Sequence, residues 1–363
     1  MEWLLLLFIA PYLLLISRIS KYHAKVKPHS GPDLASVFAS VIIACRNEEK
    51  HLPFLIESLS LQDYPPELFE IIIVDDNSTD RTPGIVSQYK TIHNLSFLKN
   101  KGNGKKTAIR TGIHEAKGNL LVTTDADCVM QKGWIRSIAR FYDEHKPDLI
   151  VCPVKLEGGK GFFQKFQELE FLSLQGITAG TALEGNPVMC NGANLAFTRK
   201  AYDESAELLH DELTSGDDVF LLHAVKGKKG NRIMWLESSE ATVKTMAPVS
   251  LGAFLRQRKR WLSKAGSYSD GYTIMLGLST FLAVLLQGIL LPVSIAIPRL
   301  LVLYAAVFIL KSIPDFLILL NTAKRTGNKK LLAWFIPCQL IYPYYVLTVA
   351  FLQVCRPLKK QAV

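Results

Sequence analysis

From residue 273 onward the chain turns so apolar that few folds remain open to it. Thr273–Ile297 and Leu331–Cys355 are each long enough to cross a bilayer, and Leu300–Leu320 is a weaker candidate. In hydrocarbon every backbone N–H and C=O must be satisfied within the segment, so such runs are read as helices. Lys311 and Asp315 interrupt the middle run; they either pair or line a path, or else mark the run as re-entrant or interfacial. A further apolar run, Trp3–Ile16, is short for a span. It opens Met-Glu-Trp and closes Ser-Arg-Ile-Ser-Lys, unlike a cleaved leader, and is read as a retained anchor over residues 1–20. Arg18, Lys21, Lys25 and Lys27 follow it, which places the next part of the chain in the cytosol. Lys324, Arg325, Lys329 and Lys330 fit the same side, whereas four spans would put the basic tail at 356–363 outside, against the tendency.

The 363 residues leave room for one sizeable domain beside these spans. Forty-two Lys and Arg against 32 Asp and Glu give a net charge of +10, and much of the excess flanks the apolar runs, so the expected partners are the lipid bilayer and phosphorylated small molecules rather than nucleic acid. The six cysteines, at 45, 128, 152, 190, 338 and 355, are scattered without a paired spacing, so reduced thiols are expected and neither disulfides nor zinc. His93, His114, His210 and His223 show no ligand spacing either.

After a polar linker at 21–37, the region 38–245 alternates β-rich runs with helical patterns, which predicts an α/β domain with a mainly parallel sheet. The runs are Ser40–Cys45, Phe69–Val74, Leu95–Leu98, Asn119–Thr124 and Leu149–Val154. Asn47 is read as the cap of a helix carrying Leu52, Leu55, Ile56 and Leu59 on one face; Thr82 caps a second, and Ala108, Ile109, Gly112, Ile113 and Ala116 line a third.

Chemistry concentrates where strands end. Ile71–Val74 runs into Asp75 and Asp76, at the strand end where open α/β sheets bind ligands; Asp76 either accepts from a base or ribose, or the stretch is an Asx turn that stops the strand. Leu120–Thr124 runs into Asp125 and Asp127, whose alternation points both carboxylates one way, suited to a hard divalent cation bridging to a diphosphate. Gly102-Asn103-Gly104-Lys105-Lys106 opens a helix and offers N–H groups and a lysine to phosphate, or is a solvated basic loop; it is not a Walker A loop. Ser215-Gly216-Asp217-Asp218 heads an apolar run, so one acid can cap a helix while the other serves as a general base. In Gln257-Arg258-Lys259-Arg260-Trp261, helical spacing brings an amide, a guanidinium and an indole onto one face, either for a departing diphosphate or for a membrane interface over 246–272.

In this order the five elements resemble the family 2 glycosyltransferases, with their GT-A nucleotide-sugar-binding fold, over roughly residues 38 to 262. The resemblance implies that Ala44, Arg46, Glu48 and Asp76 bind the donor nucleotide, that Lys105 meets its diphosphate or sugar, and that Asp125 and Asp127 form the DxD motif, with Asp127 the ligand of Mg²⁺ or Mn²⁺. Asp218 matches the general base of membrane-bound relatives, and Gln257, Arg260 and Trp261 match their QxxRW motif. Cys190–Phe197 resembles the acceptor-proximal strand, which brings Asn191 and Asn194 towards the acceptor, and Asp217 beside the matched base is assigned to the acceptor as well. The implied reaction is an inverting transfer from a nucleotide-diphosphate sugar, UDP by default, to a membrane lipid or growing glycan. One anchor and a C-terminal membrane region at 273–355 look more like the ceramide glucosyltransferase plan than that of cellulose or hyaluronan synthases, because three spans are few for a channel. A processive polysaccharide synthase is the enzyme alternative, and a catalytically silent membrane subunit the alternative of another class; protein partners are not indicated. A nucleotidyltransferase of this fold would leave Asp218 and the QRKRW stretch without a task. The apolar stretch Phe162–Leu172 is read as core of the catalytic domain, with a place against the membrane as the other reading.

Overall fold

The computed structural model describes residues 2–29, 31, 36–89, 92–209 and 216–355; His210, Ser215 and the basic tail at 356–363 lie outside the described residues. In chain order, a 3-10 segment (Glu2–Phe8) and α1 (Ala10–His23) precede β1 (Ala39–Cys45), α2 (Leu52–Ser60), β2 (Phe69–Asp75), α3 (Thr82–Val86) and β3 (Leu95–Lys99). There follow α4 (Lys105–Glu115), β4 (Leu120–Asp125), β5 (Val129–Met130), α5 (Trp134–His145), β6 (Leu149–Val151) and β7 (Val154–Glu157). Next come α6 (Phe162–Glu184), β8 (Leu195–Thr198), α7 (Arg199–Ser205), α8 (Asp217–Gly227), β9 (Ile233–Trp235) and β10 (Val243–Met246). The last elements are α9 (Leu251–Leu262), α10 (Gly271–Ala296), α11 (Leu300–Arg325), a 3-10 segment (Lys329–Trp334) and α12 (Phe335–Cys355). Contacts divide the chain into two units: Val26–Glu157 with Gly185–Met246, and Met1–Lys25 with Gly158–Glu184 and Ala247–Val363.

The first unit is a mixed α/β domain whose seven-stranded sheet has the order β3-β2-β1-β4-β8-β6-β9. Strands β1 to β4 are parallel, and β8 runs antiparallel to β4 and β6. The central strands read Ala-Ser-Val-Ile-Ile-Ala-Cys and Phe-Glu-Ile-Ile-Ile-Val-Asp, near-continuous apolar runs that suit a sheet covered on both faces; every residue of β2 is buried. Helix α4 closes on β1 and β2 at Gly112, where a Cβ would stand 2.6 Å from Ile42 Cγ2. A smaller sheet, β5-β10-β7, completes the unit.

Three local expectations give way here. Asn47 does not cap α2, which starts five residues later at Leu52; instead Asn47 takes a left-handed backbone (φ 57°) and its Oδ1 accepts from Thr79 N at 2.8 Å. Thr82 is the first residue of α3 rather than its cap, and its buried hydroxyl accepts from Glu48 N at 2.8 Å. The run Leu149–Val154 splits into β6 and β7, in different sheets, at Cys152-Pro153. Pro153 has no N–H for a ladder, while its carbonyl accepts from Val243 N and from Asn194 Nδ2.

The second unit is helical. Gly271–Ala296, Leu300–Arg325 and Lys329–Cys355 are long and apolar enough to cross a membrane; Glu2–Phe8 and Ala10–His23, bent by 43°, make a fourth if counted as one. The middle run is one continuous helix, and Lys311, 2% exposed, pairs one turn on with Asp315 at 2.8 Å. Gln339 of α12 donates to the same carboxylate at 2.8 Å, and the Tyr12 hydroxyl of α1 donates to its other oxygen. Phe162–Leu172 corrects a further expectation, for it opens α6 and belongs to this unit rather than to the sheet domain. Phe166, Leu169 and Leu172 share a core with Phe254, Leu319, Ala323, Phe335 and Cys338.

Candidate active site

Pairing in register brings the acid-bearing strand ends together. Across β1, Ala44 lies beside Val74 of β2 on one side and Asp125 of β4 on the other, and Cys45 lies beside Asp75. The order β2-β1-β4 places the reversal of strand order at β1 and β4, where the crevice of an open sheet lies.

The loops after β1 and β2 are tied to each other. Asn47 N donates to Ser78 Oγ, Glu49 N to Asp80 Oδ2, and both oxygens of Asp75 face Ser78 N. Asn77, also left-handed, donates through Nδ2 to Gly102 O and Asn103 Oδ1. Asp76, 4% exposed, is the pivot: its Oδ1 accepts from Asn100 Nδ2 at 2.7 Å and from Gly104 N at 2.8 Å, and its Oδ2 lies 3.8 Å from the exposed Arg46 guanidinium. One oxygen therefore organises the glycine loop, and the other faces the exposed guanidinium of Arg46.

That loop delivers α4. Gly104 holds φ 93°, and the next residue, Lys105, pairs with Asp125 Oδ1. Desolvation works against the Lys105 ammonium, but Asp125, with Asp218 and Asp217 behind it, outweighs it and raises its pKa. Lys106 stands 3.3 Å from Asp217 Oδ1. Burial raises the Asp217 pKa, with Lys106 opposing and Asp218 adding to it. Asp218, in the first turn of α8, accepts from Gly192 N at 3.0 Å and Val219 N at 2.8 Å. Asp127 accepts from Thr245 Oγ1 of β10 at 3.3 Å.

Asp125 and Asp127 offer oxygen donors only, the set that a hard divalent ion such as Mg²⁺ or Mn²⁺ prefers. Glu48 lies in the field of both acids: burial raises its carboxyl pKa, its bond to His51 opposes this, and Asp127 and Asp125 push it further up. The residues fit a cation on the DxD side of the crevice.

Asn194 corrects the sequence reading. It is fully buried, its Nδ2 donates to Pro153 O and Ala241 O at 2.7 Å each, and its Oδ1 accepts from Trp134 Nε1 at 2.9 Å, so its amide serves the fold. Asn191 caps the 3-10 turn at Gly192–Asn194 through its side chain. Gln257, Arg260 and Trp261 lie on α9, in the helical unit. Asn100 was missed because a lone asparagine after an edge strand carries no sequence signal; the αL preference of asparagine was the available sign for Asn47 and Asn77.

The profile of glycosyl transferase family 2 matches residues 40–206, which cover β1 through α7 and hold the acids named above at the strand ends, though not Asp217 and Asp218. Residues 40–206 form a family 2 glycosyl transferase domain. The domain is 35% identical over 124 residues to poly(ribitol-phosphate) beta-N-acetylglucosaminyltransferase TarS of Staphylococcus aureus, covering 34% of this chain and 22% of that protein. The chain is 28% identical over 202 residues to a dolichyl N-acetyl-alpha-D-glucosaminyl phosphate 3-beta-D-2,3-diacetamido-2,3-dideoxy-beta-D-glucuronosyltransferase of Methanococcus voltae, covering 52% of this chain and 62% of that one. The chain thus spans less than two thirds of either relative. Among solved structures, mannosyltransferase PcManGT from Pyrobaculum calidifontis, in complex with GDP-Man and Mn²⁺, matches at a TM-score of 0.60 and 18% identity over 97% of this chain and 98% of that one, which shows a shared fold. The glycosyltransferase domain therefore has a GT-A fold, and its DxD pair stands at the strand edge described above.

Proposed function

We propose that the chain is an inverting glycosyltransferase that uses Mg²⁺ or Mn²⁺ and moves one sugar from a nucleotide-diphosphate sugar, UDP-linked, to a lipid acceptor in the membrane. The observation that carries this reading is Lys105, seated against Asp125 and within the field of Asp217 and Asp218 at the strand edge. One cation there faces an acid suited to a metal and lies in the field of an acid suited to a base.

In this reading the Asp218 carboxylate, held by Gly192 N, takes the proton of the acceptor hydroxyl. The acceptor oxygen bonds to the anomeric carbon as the bond from that carbon to the diphosphate breaks with inversion, and no enzyme–sugar bond forms. Lys105 leaves Asp125 to meet the charge that develops on the diphosphate. Asp127, with Asp125 beside it, would hold the divalent ion, which would supply electrophilic charge to that leaving group. Arg46 and Asp76 Oδ2, which face each other, are assigned to the nucleotide. Gln257, Arg260 and Trp261 enter by resemblance, at the acceptor and leaving-group side. Three apolar C-terminal helices and a relative named for a dolichyl-linked substrate support a lipid acceptor; Arg18–Lys27 supports a cytosolic domain.

The test is donor turnover by wild type and Asp218→Asn purified in detergent, with Mn²⁺ or Mg²⁺, a panel of nucleotide sugars and membrane lipid extract. Metal-dependent release of UDP with one new glycolipid is expected, slowed roughly 10²–10⁴-fold in the variant. A ladder of products would replace this reading with a polysaccharide synthase. Folded protein that turns over no donor would sink it.

A further inference from the structure

Within Gln257-Arg258-Lys259-Arg260-Trp261, Arg258 is a residue that the sequence leaves without a task. Arg258 is 4% exposed and is the one arginine so buried among the described residues. Its guanidinium grips Glu170 of α6 as a fork: Nε donates to Oε1 at 3.1 Å and Nη2 to Oε2 at 2.5 Å. The remaining nitrogen, Nη1, donates to Gln257 Oε1 at 2.6 Å. The plane sits 4.1 Å from the Trp261 ring centre and 4.6 Å from that of Phe254. Glu170 is itself held by the Tyr345 hydroxyl of α12 at 3.2 Å.

Each nitrogen of Arg258 thus has a separate duty, and two of its neighbours are the very side chains assigned to the reaction. Gln257 has its amide oxygen occupied, which leaves its two N–H donors for other partners. Trp261 has one ring face covered and its rotation restrained. A buried ion pair is a poor source of net stability, because desolvation offsets its attraction, but it fixes geometry well. We infer that Glu170 and Arg258 are positioning residues for Gln257 and Trp261, an assignment that rests on the glycosyl-transfer reading above and names no contact of their own with substrate.

Lysine cannot reproduce the fork, so Arg258→Lys should lower kcat for sugar transfer by roughly 10²-fold, the cost of a misplaced reacting group, while binding of UDP with Mn²⁺ stays unchanged. Adding Gln257→Ala to Arg258→Lys should cost little more, since both remove one oriented amide. Because a single change leaves a buried charge unpaired, the decisive variant is Glu170→Met with Arg258→Met, which removes both charges and keeps the volume. If this double variant folds and transfers sugar at the wild-type rate, the pair is packing only and the inference is overturned. A loss of kcat in folded double variant supports it. Should wild type turn over no donor, the glycosyl-transfer reading fails separately, and the pair is still tested by fluorescence. The Trp261 emission, isolated by difference against Trp261→Phe, should become more open to acrylamide in Arg258→Lys; unchanged access would overturn the restraint.

Discussion

Two strands of one sheet, β2 and β4, both end in a pair of acids, and the structure puts the two pairs to opposite uses. After β2, Asp75 and Asp76 turn inward: one faces Ser78 N, and the other accepts from Asn100 and Gly104 at 4% exposure. After β4, Asp125 and Asp127 stay half-exposed, meeting Lys105 on one side and Thr245 on the other, with their excess charge felt at Glu48. Burial separates the two pairs. Asp76, buried and bonded to Asn100 and Gly104, organises a loop, whereas Asp125, met by the Lys105 ammonium, is the acid the proposed reaction keeps for a ligand.

Removing one acid from each pair is the sharpest way to break this contrast. Asp127→Asn should reduce transfer by roughly 10²–10³-fold without moving the melting temperature, and wild type in EDTA should fall to the same level. Equal activity of the two enzymes with Mn²⁺ present would end the distinction. Asp76→Ala should do the reverse, costing about 1–3 kcal/mol of stability for the donors of Asn100 and Gly104 left unmet, with weaker UDP binding measured by calorimetry. Asn47→Gly keeps a residue tolerant of φ 57° and deletes the bond to Thr79 N, so a denaturant titration should show a loss of about 0.5–1.5 kcal/mol. The smallest effect concerns Glu48. Its folded pKa is raised, so the folded state holds the proton more tightly, and this group makes stability fall as pH rises from the usual glutamate range through the raised value. Melts from pH 4 to 7 should show that downward slope eased in Glu48→Gln, and eased likewise by Mn²⁺ in wild type; parallel curves would show that the DxD charge does not reach Glu48.

The strands were legible because apolar runs such as Ile71–Val74 and Leu120–Val122 have no other home than a covered sheet. The acids at their ends were legible for the same reason, since a polar pair after a buried run must sit at an edge. What the sequence concealed were side chains whose partner is distant along the chain. Asn194 reads like a substrate ligand until Pro153, Ala241 and Trp134 are seen to consume its amide. Thr82 reads like a helix cap until Glu48 N, 34 residues away, claims its hydroxyl. Phe162–Leu172 has an apolar pattern that fits either unit, and only the folded contacts of α6 assign it to the helical one.

The double register of β1 has one more consequence. Its pairing with both β2 and β4 fixes where Asp76 and Asp125 stand relative to each other, and a slip of one residue in either ladder would displace an acid by about 3.3 Å along the strand and turn it to the opposite face. Metal–oxygen distances tolerate only a few tenths of an ångström. The alignment tolerance of the site is thus set at the middle of the sheet, by Val41, Ile42 and Ile43, residues that would never touch a ligand.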